Sequence, residues 1–254
     1  MMTCISVKWV NALSLTLFIF FLCGLVRNTA ASEFDCILEP HKTVHVSSPV
    51  AGVIDQILVG RGDHVKKGQA LVRLKSDVQK AKVHLARIHA EFNARKASRN
   101  KRMGDDRLIS ENDMDELESK AQASKAELNV ELAKLKQLTI RSPISGVVLD
   151  RNHSAGEFIR DEDILELAEL NPLNVEVVVP SSMLNRVKKG GLATVKLGDD
   201  KIKDYSAKVA VVDPVIDAAS GTIGLRLEIS NPQYAIPSGL KCKIQLNTAS
   251  HGVR

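Results

Sequence analysis

Two stretches of this chain, 94 residues apart, carry one pattern: Val46-Ser47-Ser48-Pro49-Val50-Ala51-Gly52-Val53 and Ile140-Arg141-Ser142-Pro143-Ile144-Ser145-Gly146-Val147. The match continues without a gap, setting Gly62 against Gly156, Asp63 against Glu157, Val65 against Ile159 and Leu71 against Leu165. In each copy Ser-Pro opens a strand at its edge, where the missing N–H of proline is tolerated, and the glycine that follows lets the backbone bend. Val53, Ile54, Ile57 and Val59 in one copy, and Val147, Val148 and Leu149 in the other, supply strand-forming side chains. Gly60-Arg61-Gly62-Asp63 and Ser154-Ala155-Gly156-Glu157 supply matching turns. A copy of about 30 residues buries too little apolar surface to stand alone, so the two halves are expected to pair into one flattened barrel.

The residues between the halves contain no proline and are charged, Ala-rich and helically periodic. Ser76-Asp77-Val78-Gln79 reads as a capping box opening a first helix. Val78, Ala81, Leu85, Ile88 and Phe92 then recur at spacings of 3 and 4, the expected packing stripe. Lys101-Arg102-Met103-Gly104 is expected to close the helix, with cations against its negative dipole end and a glycine in the left-handed cap. A second capping box at Ser110-Glu111-Asn112-Asp113 opens a return helix striped by Met114, Leu117, Ala121, Ser124, Leu128, Leu135 and Leu138, with polar Glu131 interrupting. Two such helices joined by a short loop fold back as an antiparallel pair, extending roughly 40 Å at about 1.5 Å per residue. Beyond Phe92 the expected stripe turns into Arg95, Arg99 and Arg102, so the outer end presents cations and a loop to a partner.

The N-terminus reads as an address. Lys8 precedes an apolar run from Val10 to Val26, and Thr29-Ala30-Ala31 offers the small residues a signal peptidase favours. Residues 1–31 are therefore expected to act as a cleaved signal peptide or as an N-terminal anchor, a run of about 17 residues being marginal for a membrane span. Two of the four cysteines fall in that segment, leaving Cys36 and Cys242 as either one disulfide or, for the core-facing Cys242, a buried thiol. Acidic residues number 30 against 35 basic ones and are interleaved with them, and aromatics make up 4%, which argues for a mixed solvated surface and against a nucleic-acid partner.

After Asn171-Pro172-Leu173 the sequence alternates with period two, with turn residues at intervals of about ten. A short helix over 181–187 and strands over 192–197, 205–212, 222–229 and 240–247 are expected, closing into a small antiparallel barrel that residues 33–45 join. No catalytic constellation can be defended. His41 and His45 share strand parity, but with Cys36 as the sole third ligand they read as surface histidines, so neither a metal nor a cofactor is expected.

Each strand–Gly–strand half resembles half of a biotinyl/lipoyl domain. A carrier domain, however, presents its modified lysine on a hairpin between the halves, and here Lys80-Ala81 is only a faint echo within some 60 intervening residues. The whole arrangement resembles the membrane fusion protein family, the haemolysin-D-like periplasmic adaptors of tripartite efflux and secretion systems. That resemblance implies a mainly β fold with an inserted helical hairpin: a split lipoyl-like domain over 46–75 and 139–170, a hairpin over 76–138, a β-barrel over 33–45 and 171–247, and a tail over 248–254. It also implies a non-catalytic, periplasmic protein associated with the inner membrane. Its partners would be an inner-membrane transporter (of the RND type, with ABC and MFS as alternatives), an outer-membrane channel, and further copies of itself in a ring, trimeric or hexameric. The family's hairpin tip bears an Arg, a Leu four residues on and a Ser seven after that, and Arg99, Met103 and Ser110 fall at those spacings with Met in place of Leu. Many RND-partnered adaptors carry a further membrane-proximal domain after the barrel, which residues up to Arg254 do not supply. A lysine-modified carrier subunit and a stand-alone periplasmic scaffold are the competing readings.

Overall fold

A computed structural model describes residues 32–105, 110–198 and 203–246. The targeting segment, the tail over 248–254, and the side chains of Arg102 and Met103 lie outside the described residues. Elements run in the order β1 (Glu33–Ser47), β2 (Gly52–Ile57), β3 (His64–Val65), β4 (Ala70–Leu74), α1 (Asp77–Asp105), α2 (Glu111–Gln137), β5 (Thr139–Arg141), β6 (Gly146–Arg151), β7 (Phe158–Ile159) and β8 (Asp163–Pro180). A 3-10 turn (Ser181–Met183) leads to β9 (Leu192–Leu197), β10 (Lys203–Val212), β11 (Thr222–Ile229) and β12 (Lys241–Leu246).

The two sequence copies interlock about a local two-fold. β2 of the first copy pairs with β7 of the second, Gly52 opposite Ile159, and β3 pairs with β6, Val65 opposite Gly146. The turn glycines are exchanged in the same sense: Gly62 N–H donates to the Val148 carbonyl and Gly156 N–H to that of Ile54, both at 2.8 Å. Each of these glycines has positive φ, 88° and 94°, where a side chain would be strained. Ser48 and Ser142 repeat one further bond, donating to the carbonyls of Val50 at 2.5 Å and Ile144 at 2.6 Å. Ile54, Leu71, Ile159 and Leu165, fully buried, lie in the common core. Gly146 marks the closest approach, since a Cβ there would stand 2.0 Å from the Ala168 carbonyl oxygen.

The barrel closes in the order β1-β12-β9-β10-β11-β8, with β8 returning to pair with β1. Leu38, Leu173, Val175, Leu225, Leu227 and Ile244 fill it. Cys36 faces Cys242 in register, with Cα atoms 4.9 Å apart, and their sulfurs are joined across 206 residues.

The sequence expectations divide the chain at Asn171-Pro172, but β8 passes straight through this cis bond and contributes to both β bodies, as does β1. The proline is accommodated because the partner strand is itself irregular there, with a bulge between Pro40 and Lys42. Asn174, buried at this junction, donates to the Pro40 carbonyl and meets His41 Nδ1 at 3.3 Å. Asn231 ties the far side, its amide donating to the carbonyls of Leu170 and Ile236. His64 of the lipoyl-like body stacks on Tyr234 of the barrel at 4.8 Å between ring centroids. In place of the expected helix over 181–187 there is only the 3-10 turn, from which Met183 and Val187 turn inward onto the barrel core.

Candidate docking surface on the helical hairpin

The hairpin leaves the lipoyl-like body at Lys75 and returns at Thr139, so α1 and α2 stand on adjacent strands, β4 and β5, of one sheet. Ser110 caps α2: its hydroxyl accepts from the Asp113 N–H at 3.2 Å and donates to the Asp113 carboxylate at 2.7 Å. The expected first capping box does not form. Gln79 instead reaches across the hairpin base, its amide donating to the Glu131 carbonyl at 3.0 Å and to the Glu131 carboxylate at 2.7 Å. Glu131, polar within an otherwise apolar stripe, is thereby satisfied. The Lys134 ammonium first, and the Gln79 amide second, hold its carboxyl below the ordinary range. Helix α1 also runs past Gly104 to Asp105, so the expected left-handed glycine cap at 104 is absent.

The packing seam of α1 is not the stripe read from the sequence. Val83, Ala86 and Ala90 are buried, and Gln79, Asn93, Ala97 and Asn100 are half-buried, a heptad series offset by two residues from the expected one. The expected seam lies outside: Val78 is 73% exposed, Leu85 56%, Phe92 54% and Ile88 48%. Helix α1 carries two interleaved stripes. The alanine-rich one lets the helices approach closely, while the bulkier one is excluded from that narrow seam. On α2 the expected stripe is the observed one, with Ser124 buried and Met114, Leu117, Ala121, Leu128 and Leu135 half-buried around it.

Arg95 and Arg99 extend the exposed stripe of α1 toward the tip. They line an open hollow of about 480 Å³ with Ala94 and Ser98. Arg95 contacts Glu91 at 3.5 Å, whereas Arg99 is exposed and unpaired among the described residues. The cations therefore do not terminate the seam, which continues past them through Asn93, Ala97 and Asn100. The structure places Arg99 and Ser110 on opposite arms near the tip, with Met103 outside the described side chains. Lys80, the faint echo of a carrier lysine, sits in the first turn of α1 beside Asp77 at 3.9 Å, and is not on a β-hairpin. Among the described residues there is no cluster of ligands able to hold a metal, and Cys36 is engaged with Cys242.

A split lipoyl-like body carrying an antiparallel hairpin and continuous with a six-stranded barrel is the architecture of membrane fusion adaptors. The chain belongs to that family: residues 42–169 match the CzcB-like barrel-sandwich hybrid domain and residues 173–250 the CusB-like β-barrel domain. It is 24% identical over 217 residues to the cobalt-zinc-cadmium resistance protein CzcB of Cupriavidus metallidurans, covering 78% of this chain and 41% of that protein. To the membrane fusion protein MtrC of Neisseria gonorrhoeae it is 25% identical over 239 residues, covering 83% and 58%. The chain thus spans less than two thirds of the length of either relative. A solved chimera of MacA carrying the Pseudomonas aeruginosa MexA α-hairpin superposes with a TM-score of 0.73 at 23% identity, covering 86% of this chain and 81% of that one.

Proposed function

We propose that this protein is the adaptor of a tripartite efflux or secretion assembly, joining an inner-membrane transporter to an outer-membrane channel without catalysing a reaction. The observation that carries the reading is the hairpin: a two-helix arm rooted in one β body, with an unpaired cation, Arg99, near its outer end. Arg99, Met103 and Ser110 at the tip would meet the channel, with Arg95 and Arg102 adding charge. The CusB-like barrel and the CzcB relative favour an RND-type transporter over ABC and MFS types. The exposed Val78, Leu85, Ile88 and Phe92 stripe supports self-association side by side in a trimeric or hexameric ring, since a contiguous apolar heptad stripe seeks cover. Residues 1–31 would direct the chain across the inner membrane or hold it there. Arg99→Glu tests the docking step by in-cell cross-linking: channel adducts and transport should be lost while transporter adducts persist. Undiminished channel adducts in that variant would remove the tip from the docking surface.

A further inference from the structure

The barrel end remote from the hairpin has a composition that the adaptor reading does not use. β1 begins there at Glu33 opposite Gln245, β12 ends there at Leu246, and β8 ends there at Pro180 opposite Thr222. Two loops, 181–191 and 213–221, therefore project from the same end, tied by a 2.9 Å bond from the Ser181 N–H to the Gly221 carbonyl. Met183 and Val187 plug the barrel, which turns the residues between and after them outward. Arg186, Lys188 and Lys189 are exposed, and the Lys208 side chain passes over Gly190 beside them. None of these four cations has an ion-pair partner among the described residues, whereas Lys196 and Lys243 on the barrel wall both pair with Glu33. Leu184, Leu192, Val215 and Ile216 are exposed around them, Val215 at 75%. The acidic residues of the second loop are Asp213 and Asp217, and Asp217 is occupied in accepting from the Ala219 and Ser220 amides.

We propose that this end of the barrel docks on an anionic phospholipid surface, with Arg186, Lys188, Lys189 and Lys208 facing headgroups and the aliphatic side chains of both loops seated at the interface. Unpaired cations beside separately exposed aliphatics match a charged bilayer surface, while the centres of protein–protein interfaces are depleted in lysine. Chain geometry agrees. The apolar run over 10–26 is joined to Ser32 by residues 27–31, which reach at most about 18 Å, so this end is the part of the described fold that the run can bring to a membrane. The proposal rests on the adaptor reading only for the direction in which the hairpin points.

The test is partition of the full chain onto neutral phosphatidylcholine vesicles and onto vesicles containing phosphatidylglycerol. Residues 1–31, with Lys8 and Arg27, contribute equally to the unaltered chain and to a barrel-end variant, so the change between the two in the ratio of anionic to neutral partition reports the charged face. The combined Arg186→Gln, Lys188→Gln and Lys189→Gln variant should lower that ratio on the order of a hundredfold. Raising salt toward 1 M should also lower it, as screening shortens the reach of the cations. Arg99→Glu should leave the ratio unchanged even if it fails to affect channel capture, so failure of the adaptor reading is seen separately. An unchanged ratio in the triple variant would overturn the proposal. Retained anionic preference with loss of transporter cross-links would also overturn it and assign the face to a protein.

Discussion

The hairpin seam makes a prediction that separates the observed packing from the stripe that periodicity suggests. Ala90 is 8% exposed and faces α2, so Ala90→Leu forces additional carbons into a seam built for methyl groups. Overpacking of this kind costs about 1–3 kcal/mol. Leu85, more than half exposed on the other face, has little to lose: burying a whole leucine side chain is worth about 1.5–3 kcal/mol, and the smaller part of Leu85 that is covered scales this to about 1 kcal/mol. Because the hairpin can open without the β bodies, amide hydrogen exchange across 77–105 and 111–137 in dilute protein is the appropriate readout. Ala90→Leu should accelerate exchange there by roughly 5- to 150-fold, while Leu85→Ala should change it several-fold at most. Greater acceleration by Leu85→Ala than by Ala90→Leu would refute the seam assignment, and with it the argument that the bulky stripe is free for a neighbouring copy.

Two further predictions concern the β bodies. Cys36→Ser with Cys242→Ser, or reduction of the unaltered protein, should lower stability by about 2–5 kcal/mol, toward the upper end because the bond spans 206 residues. Thermal melts with and without reductant check this, and coincident melts would mean the bond contributes nothing. Gly146→Ala places a methyl group against the Ala168 carbonyl, 2.0 Å from its oxygen, and should cost at least about 3 kcal/mol, whereas Gly198→Ala, which meets no atom within 4 Å, should cost only its backbone strain. Urea titrations followed by circular dichroism compare the two; equal midpoints would remove the close-approach argument.

The pairing of the two β halves is legible in the sequence because every repeated residue has a structural counterpart at the same offset: Gly62 and Gly156, Ser48 and Ser142, Ile54 and Val148. The return helix is legible for a related reason, since α2 has one apolar stripe and one interpretation. Helix α1 has two, and hydrophobicity alone selects the bulkier, whereas the seam prefers the smaller side chains that allow close approach. Gln79 shows the same limit in polar chemistry: a local capping partner and a partner 52 residues away compete, and only the fold supplies the second. Pro172 reads as a boundary because it removes a ladder donor, but its irregularity falls beside the bulge at Pro40 on the neighbouring strand and the two are absorbed together. The unpaired barrel-end cations leave no signature in spacing, because Arg186 to Lys189 and Lys208 converge only when β9 and β10 pair. The proposal that Arg99, Met103 and Ser110 dock a partner comes from family resemblance.

The passage of β1 and β8 through both β bodies has a mechanical consequence. A linker between modules bends under tension, but here two antiparallel backbones, cross-bonded along most of their length, form a spar from the barrel mouth to the base of the arm. Pull or twist applied at one extremity travels along covalent chains and a ladder loaded in shear, so the barrel and the arm are held at a fixed angle to each other. Any give falls at the interruptions of that ladder, around Pro40 and Pro172 and again at Val46 and Ser47.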